Sequence, residues 1–422
     1  MAKSASQTIE PSTPDNTIGL GPSALVDDVA DWLMAQSLET TTIEALFEGC
    51  CERLYAAGMP LFRVHIAYRT LHPLISGMGL TWRRDTPVEV QHFPHHDGPQ
   101  PERWLKSPHH YLIERQLPMM RRKLTGPETL IDFPVLEEFR DAGGTDYLAF
   151  LSAFGGGAND GLISSWLTDR PEGYSDAEVQ AIIRVQQRFA VACKIVTRGE
   201  IARNVMTTYL GPDAGLRVLD GQIRRGDGEH IHAAVWFSDL RGSTAMAEKL
   251  APQDYIATLN AFFDAVGGAV LAKHGEILGF IGDAVLAIFP IRKGRATAAQ
   301  ACQRALSAAR LSARRIEKLN ETRKSNGEEP IAYGLGLHLG DVTFGNIGVD
   351  ERLSFSVIGP TVNEVARLEG LTKKLKRAVV ASEVFKNAVP RSTGWRPLGE
   401  HRVAGVDRPL KVFAPAEATA RK

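Results

Sequence analysis

Ala233-Ala234-Val235-Trp236-Phe237-Ser238-Asp239-Leu240-Arg241-Gly242-Ser243-Thr244 is the stretch on which the reading of the fold turns. Its apolar run reads as a buried strand that breaks at an acidic residue, followed by a tight glycine turn that opens a helix. A distant counterpart is Gly275-Glu276-Ile277-Leu278-Gly279-Phe280-Ile281-Gly282-Asp283-Ala284-Val285-Leu286-Ala287-Ile288-Phe289. It reads as two short strands pinched at Gly282-Asp283, a hairpin whose tip carries one carboxylate. Two carboxylates at strand ends, beside a turn rich in backbone N–H groups, supply what a magnesium-nucleotide site needs. The carboxylates hold hard cations through oxygen, and a helix N-terminus accepts phosphate charge.

Working outward, Gln253 to Ala272 and Arg295 to Asn320 repeat apolar residues at helical spacing. Tyr333 to Leu339 predicts a strand running into a hairpin at Gly340 to Gly348, and Thr361 to Leu371 predicts a helix. That helix carries Asn363 and Arg367, four apart and therefore on one face. The alternation of elements suits an α+β fold, a ferredoxin-like sheet with helices on one side.

Asp239-Leu240-Arg241-Gly242-Ser243-Thr244, Gly282-Asp283 and Val357-Ile358-Gly359-Pro360-Thr361-Val362-Asn363-Glu364-Val365-Ala366-Arg367-Leu368-Glu369 together resemble the class III nucleotidyl cyclase catalytic domain, in the order and spacing of that family. The likeness runs from Ile231 to Pro415. It implies an enzyme in which the 3′-hydroxyl of ATP attacks its own α-phosphate, giving 3′,5′-cyclic AMP and pyrophosphate. It also implies two Mg²⁺ (or Mn²⁺) ions per active site on Asp239, Asp283 and the backbone carbonyl of Leu240. The amides of Arg241, Gly242, Ser243 and Thr244 would cradle the triphosphate, Arg367 would meet the developing charge, and Asn363 would fix the ribose. In the family the metal ligands come from one subunit and the Asn-Arg pair from the other, so a homodimer with shared active sites is expected.

The resemblance has gaps. Adenine-specific members place Lys where this chain has Gly279, and Asp or Thr where it has Ser356; guanine-specific members place Glu and Cys. Ser356 can still offer a hydroxyl to an exocyclic amine, which favours ATP, with GTP or poor selectivity as the alternative. The basic residue that usually grips the triphosphate is replaced by Ala404, and Arg402, two residues back and expected on the same strand face, is the candidate stand-in. A degenerate domain that binds nucleotide or only dimerises is the competing reading.

The whole chain has 422 residues, 44% of them hydrophobic, enough for two or three globular cores. Forty-nine basic residues balance 49 acidic ones, which argues against a nucleic-acid surface spread over the protein. No apolar run approaches the ~18 residues that span a bilayer, and 1–23, rich in Ser, Thr, Pro and Asn, reads as a disordered tail rather than a signal peptide, so a cytoplasmic location is expected. The four cysteines do not make a disulfide framework. A regulatory α+β domain is expected over 24–174, a long helix and connector over 175–230, the catalytic domain over 231–415 and a tail over 416–422.

Within the first domain, Gln91 to Trp104 reads as a loop and Ser107 to Arg122 as a helix ending in the basic cluster Arg121-Arg122-Lys123, a solvated face. His95-His96 and His109-His110 raise a metal or haem reading, weakened by the absence of accompanying Cys or carboxylates. Thr145–Phe154 and Gly161–Leu167 read as strands joined by a glycine turn, and Ser175 with Glu178 as a capping box. This ending is similar to the close of a GAF-type sensor domain, with an unknown regulatory ligand or protein partner. In the following helix Ile182, Val185, Phe189, Ala192 and Val196 form the seam of a short coiled coil, or the face of a single helix packed on its own domain.

Overall fold

Period-2 alternation builds the first sheet: in β1 (Arg63–Arg69) Val64, Ile66 and Tyr68 are buried while their neighbours face the other way. The computed structural model describes residues 22–96, 98–155, 160–292, 296–389 and 394–416; most of the expected tails and of the triple-glycine turn fall outside these, while Pro22 and Ser23, expected in the N-terminal tail, open a helix. Two units meet in sequence at Val205 and Met206.

In the first unit, α1 (Pro22–Ser37) and α2 (Ile43–Ala56) precede β1, β2 (Ile75–Arg83) and β3 (Thr86–Pro94). Then follow α3 (Glu102–Leu105), α4 (Pro108–Arg115), β4 (Met119–Lys123), α5 (Pro134–Asp141), β5 (Asp146–Ala153), β6 (Gly161–Thr168) and α6 (Asp176–Leu210). The strands form an antiparallel sheet ordered β3-β2-β1-β6-β5-β4. Ser175 and Glu178 make the expected capping box, with Ser175 N–H donating to Glu178 Oε2 at 2.7 Å and Glu178 N–H to Ser175 Oγ at 3.3 Å.

The coiled-coil seam is corrected here. Ile182, Val185, Phe189, Ala192 and Val196 are all buried within the single chain, packed with Leu33, Phe47, Leu54, Val64, Ile66 and Trp166. Those side chains close the core of their own domain, so they are not free to pair with a second copy. The basic cluster also moves: Gln116 turns left-handed (φ 52°) and ends α4, so Arg121, Arg122 and Lys123 lie on β4. There they are ion-paired rather than solvated, Arg121 and Lys123 with buried Asp146 (2.7 and 2.9 Å) and Arg122 with Asp132 (2.8 Å). His109 meets His65, not His110, its ring centroid 6.3 Å away. Part of the predicted 91–104 loop is strand, the end of β3, and part is α3.

The second unit runs through α7 (Pro212–Leu219), β7 (Gly228–Leu240), α8 (Ser243–Lys249), α9 (Pro252–Leu271), β8 (Glu276–Ile281), β9 (Ala284–Ile291) and α10 (Ala298–Ser325). It continues with β10 (Tyr333–Val349), β11 (Arg352–Ile358), α11 (Pro360–Lys374), β12 (Val379–Ser382), α12 (Glu383–Ala388), β13 (Trp395–His401) and β14 (Leu410–Pro415). The sheet order is β13-β14-β12-β10-β7-β9-β8, with β11 paired to β10. Its centre, β10-β7-β9-β8 with α9 and α10 as crossovers, is the expected ferredoxin-like arrangement.

Helices occupy both faces rather than one. Ala234, Trp236, Leu335 and Leu337 pack against α9 and α10, whereas Ala233, Val235 and Val365 share a separate cluster on the opposite face, under α11 and α7. The alternation Gly334-Leu335-Gly336-Leu337 explains how α11 gets in. A Cβ at Gly336 would stand 2.6 Å from Val365 O and 2.8 Å from Glu369 N, and one at Gly340 would stand 2.6 Å from Thr361 Oγ1. Gly340 therefore serves helix packing rather than a turn, and β10 runs on to Val349 before the hairpin at 350–351.

Ion pairs fix α7 to the sheet: Arg292 bridges Asp213 (2.8 Å) and Glu276 (3.0 Å), and Arg217 bridges Asp213 and Glu229 (2.7 Å each). Gly336→Ala should destabilise the second unit by roughly 1–3 kcal/mol, because the clash is with backbone that cannot rotate away. Gly370→Ala, on α11 with nothing within 4 Å of its Cβ position, should instead gain about 0.5–1 kcal/mol. Thermal or urea unfolding of the two variants against wild type checks the pair of signs.

Candidate active site

Strand register alone brings the two predicted carboxylates together. Asp239 lies opposite Ala284 on β9, so Asp283, the preceding residue at the hairpin tip, arrives beside it. Gly282, at φ 63°, makes the two-residue turn that aims the tip. The two side chains act on each other directly, and Asp239 Oδ1 is buried with no hydrogen-bond partner. Burial, then the bond to and charge of Asp283, then the charge of Glu369, push the Asp239 carboxyl up to about 7. Two carboxylates so placed cannot both ionise cheaply unless a cation joins them. A buried carboxylate oxygen without a partner beside a second carboxylate fits a divalent ion, which supplies both missing interactions.

Leu240 is buried and follows directly. Arg241 N–H donates to Ala332 O at 2.8 Å, so by the alternation of an antiparallel ladder the Leu240 amide and carbonyl lie on the opposite edge, toward Asp283. That orientation suits the carbonyl for the ligand role expected of it. The same bond corrects the expected phosphate cradle: the Arg241 amide is committed to the sheet, and its guanidinium donates to Arg377 O at 3.0 Å. Gly242 (φ 76°), Ser243 and Thr244 form the start of α8.

Asn363 and Arg367 lie one turn apart on the exposed side of α11, as their spacing predicts. The helix is held from below by Thr361 Oγ1 donating to Asp341 O (2.6 Å), by Glu364 against buried His338 (3.1 Å) and by Arg408 near Glu364 (3.6 Å). Arg367 Nε donates to Ala404 O at 3.1 Å. The strand-face argument for Arg402 does not hold: β13 ends at His401, and Arg402 and Ala404 sit in the loop and turn beyond it, with Gly405 at φ 77°. Arg402 itself is exposed. Gly279 on β8 has nothing within 4 Å of its Cβ position, Ser356 on β11 is half-buried opposite Gly345, and β8 and β11 touch.

The structure thus gathers Asp239, Leu240 and Asp283, and sets Asn363 and Arg367 on the exposed face of α11. It adds a residue that sequence reasoning passed over, Glu369. Burial raises its carboxyl, the Thr372 hydroxyl and the Arg241 charge oppose this, and Asp283 adds to it. The signal was an acidic residue inside the buried stripe Thr361-Val365-Leu368-Thr372.

Residues 228–411 match the family model of the adenylate and guanylate cyclase catalytic domain. They belong to that family. The cyclase domain is accompanied by the additional N-terminal α+β domain described above. Adenylate cyclase 1 of Rhizobium meliloti is 28% identical over 258 residues, 58% of this chain and 37% of that protein. An adenylate cyclase of Anabaena cylindrica is 32% identical over 186 residues, 42% of this chain and 36% of its own length. This chain therefore spans well under half of either curated relative. The crystal structure of the adenylyl cyclase CyaB from P. aeruginosa is similar at 25% identity, covering 46% of this chain and 97% of that one, with a TM-score of 0.42. Among the described residues, no helix is long and apolar enough to cross a membrane.

The raised Asp239 carboxyl gives a pH signature for the metal-free cyclase domain. Its proton is held more tightly folded than unfolded between the ordinary 3.8 and about 7, so stability falls as pH rises through that window. Asp239→Asn removes the penalty. With metal chelated, its melting temperature should match wild type near pH 4 and exceed it at pH 8; a constant difference across the range would contradict the assignment.

Proposed function

We propose that the chain is an adenylate cyclase that closes ATP to 3′,5′-cyclic AMP in a homodimer with shared sites, regulated through its N-terminal α+β domain. The supporting observation is the Asp239–Asp283 pair, brought together by strand register with one buried oxygen left without a partner. Asp239, Asp283 and the Leu240 carbonyl would hold Mg²⁺ or Mn²⁺, two ions per site. When bound, these cations acidify the ribose 3′-hydroxyl and take charge from the leaving pyrophosphate.

This chain's own groups do the rest. The 3′-oxygen forms a bond to the α-phosphorus, the bond from that phosphorus to the β-phosphate bridge breaks, and the hydroxyl proton leaves to water or a phosphate oxygen. The amides of Gly242, Ser243 and Thr244 hold the phosphates at the opening of α8. Asn363 orients the ribose, and Arg367 meets the charge that grows on the transferring phosphate. Both residues are exposed on α11, which leaves them free to contribute to a partner's site. Arg402, exposed beyond β13, remains the candidate for a further phosphate contact in place of Ala404.

ATP is favoured by the Ser356 hydroxyl, which can accept from or donate to an exocyclic amine, and by the two relatives named as adenylate cyclases. The open space at Gly279 favours a second reading of weak base selectivity, with GTP also turned over. A cytoplasmic location, where nucleotide and Mg²⁺ are at hand, is part of the proposal.

The purified full chain, given Mg²⁺ or Mn²⁺ with ATP or GTP, should form cyclic product that is lost in Asp283→Ala. Arg367→Ala should lower kcat about 10²–10³-fold with the nucleotide KM little changed. Absence of product from either nucleotide in a folded protein would replace this reading with that of a binding module. Gly279→Lys, entering free space, should lower the KM for ATP about tenfold relative to GTP, the worth of one charge-assisted contact.

A further inference from the structure

We propose that Glu369 is a positioning residue for the metal pair, a third carboxylate whose charge, partly balanced by Arg241, sets how tightly Asp239 and Asp283 hold a divalent cation. The inference rests on reading that pair as a metal site and goes beyond it.

Glu369 occupies an inward position on α11, four residues after buried Val365 and three before buried Thr372. Two residues from Arg367, it points roughly 200° around the helix from it, so one helix presents a cation outward and an anion inward. Its carboxylate is seated by design of the strand beneath. A Cβ at Gly334 would stand 2.0 Å from Glu369 Oε1 and 2.4 Å from Thr372 Oγ1, so any larger residue there would displace this carboxylate from its seat. Gly334 is the register partner of Asp239 on β10. The cleared position thus lies directly beside the residue that bears the unpartnered oxygen. Thr372 Oγ1 donates to Glu369 Oε1 at 3.3 Å and fixes its near oxygen.

Arg241 completes the arrangement. Its backbone N–H is held by Ala332 O and its Nη2 by Arg377 O, which in turn follows the end of α11 through Arg377 N–H donating to Thr372 O at 3.0 Å. Its Nε is buried without a hydrogen-bond partner, and its charge acts on Glu369. The guanidinium is therefore anchored on the Arg377 carbonyl, and its charge offsets that of Glu369. With all three carboxylates ionised, Arg241 leaves two net negative charges to attract cations; replacing Glu369 by Gln leaves one.

Binding of Mn²⁺ alone to the full chain, read from the electron paramagnetic resonance of the free ion, tests this without any dependence on turnover. Glu369→Gln should weaken Mn²⁺ binding about tenfold, the effect of one charge at this range in a partly solvated site. Glu369→Asp, which restores the charge, should recover affinity to within about threefold, and Arg241→Met should bind more tightly than wild type. A purely structural role for Glu369 would not give opposite signs for the two partners. Equal affinity of wild type and Glu369→Gln, with Asp283→Ala still losing the ion, overturns the inference and leaves the metal pair standing. Equal or weaker binding by Arg241→Met overturns the balancing role. Wild type that takes up no Mn²⁺ overturns the metal pair itself, and this inference with it.

Discussion

Two like charges forced together by strand register are the constraint on which the cyclase domain depends. Asp239 opposite Ala284 leaves Asp283 no place but beside it, and the sheet core fixes that register because Ala234, Trp236, Val285 and Ala287 are all fully buried. A slip of one residue would turn every one of these side chains to the wrong face. The apolar core thus holds an electrostatically unfavourable pair in place, and the cost is relieved when the pair takes a proton or a cation.

The helix α11 has the opposite character, an element with two working faces. Inward, Val365 and Leu368 pack on the sheet through a row of glycines, and the charge of Glu369 acts on Asp239 and Asp283. Outward, Asn363 and Arg367 stand exposed. Its position is over-determined by Thr361 on Asp341, by Glu364 between His338 and Arg408, and by Arg367 on the Ala404 carbonyl. That last contact ties the helix to the loop where a triphosphate-gripping basic residue is missing. Movement of the 402–409 loop and of Arg367 would therefore be coupled.

The pieces that the sequence revealed are those written in local chemistry. An apolar run ending in Asp, a Gly-Asp hairpin tip, a Ser-x-x-Glu capping box and an i,i+4 pair on a helix can each be read within a few residues. The pieces it hid depend on what lies across the fold. The seam of α6 has the same spacing whether Phe189 meets a second chain or Phe47 of its own, and only the buried core distinguishes them. The glycines of β10 look like turn residues until α11 is laid over them. Glu369 lay in plain view within the quoted motif, yet its role depends on Gly334 and Arg241, more than 30 and 120 residues away in sequence. Arg241 looked like a phosphate ligand because its amide adjoins a helix opening, and the sheet edge claimed that amide first.

The account stands on metal ligands in one chain being completed by Arg367 of another. Mixing two full-length variants, Asp283→Ala and Arg367→Ala, each inactive or nearly so alone, tests this most directly. If the sites are shared, half of the random dimers carry one intact site, and cyclase activity should return to about a quarter of wild type. If each chain builds its own complete site, the mixture will show no more activity than its parents.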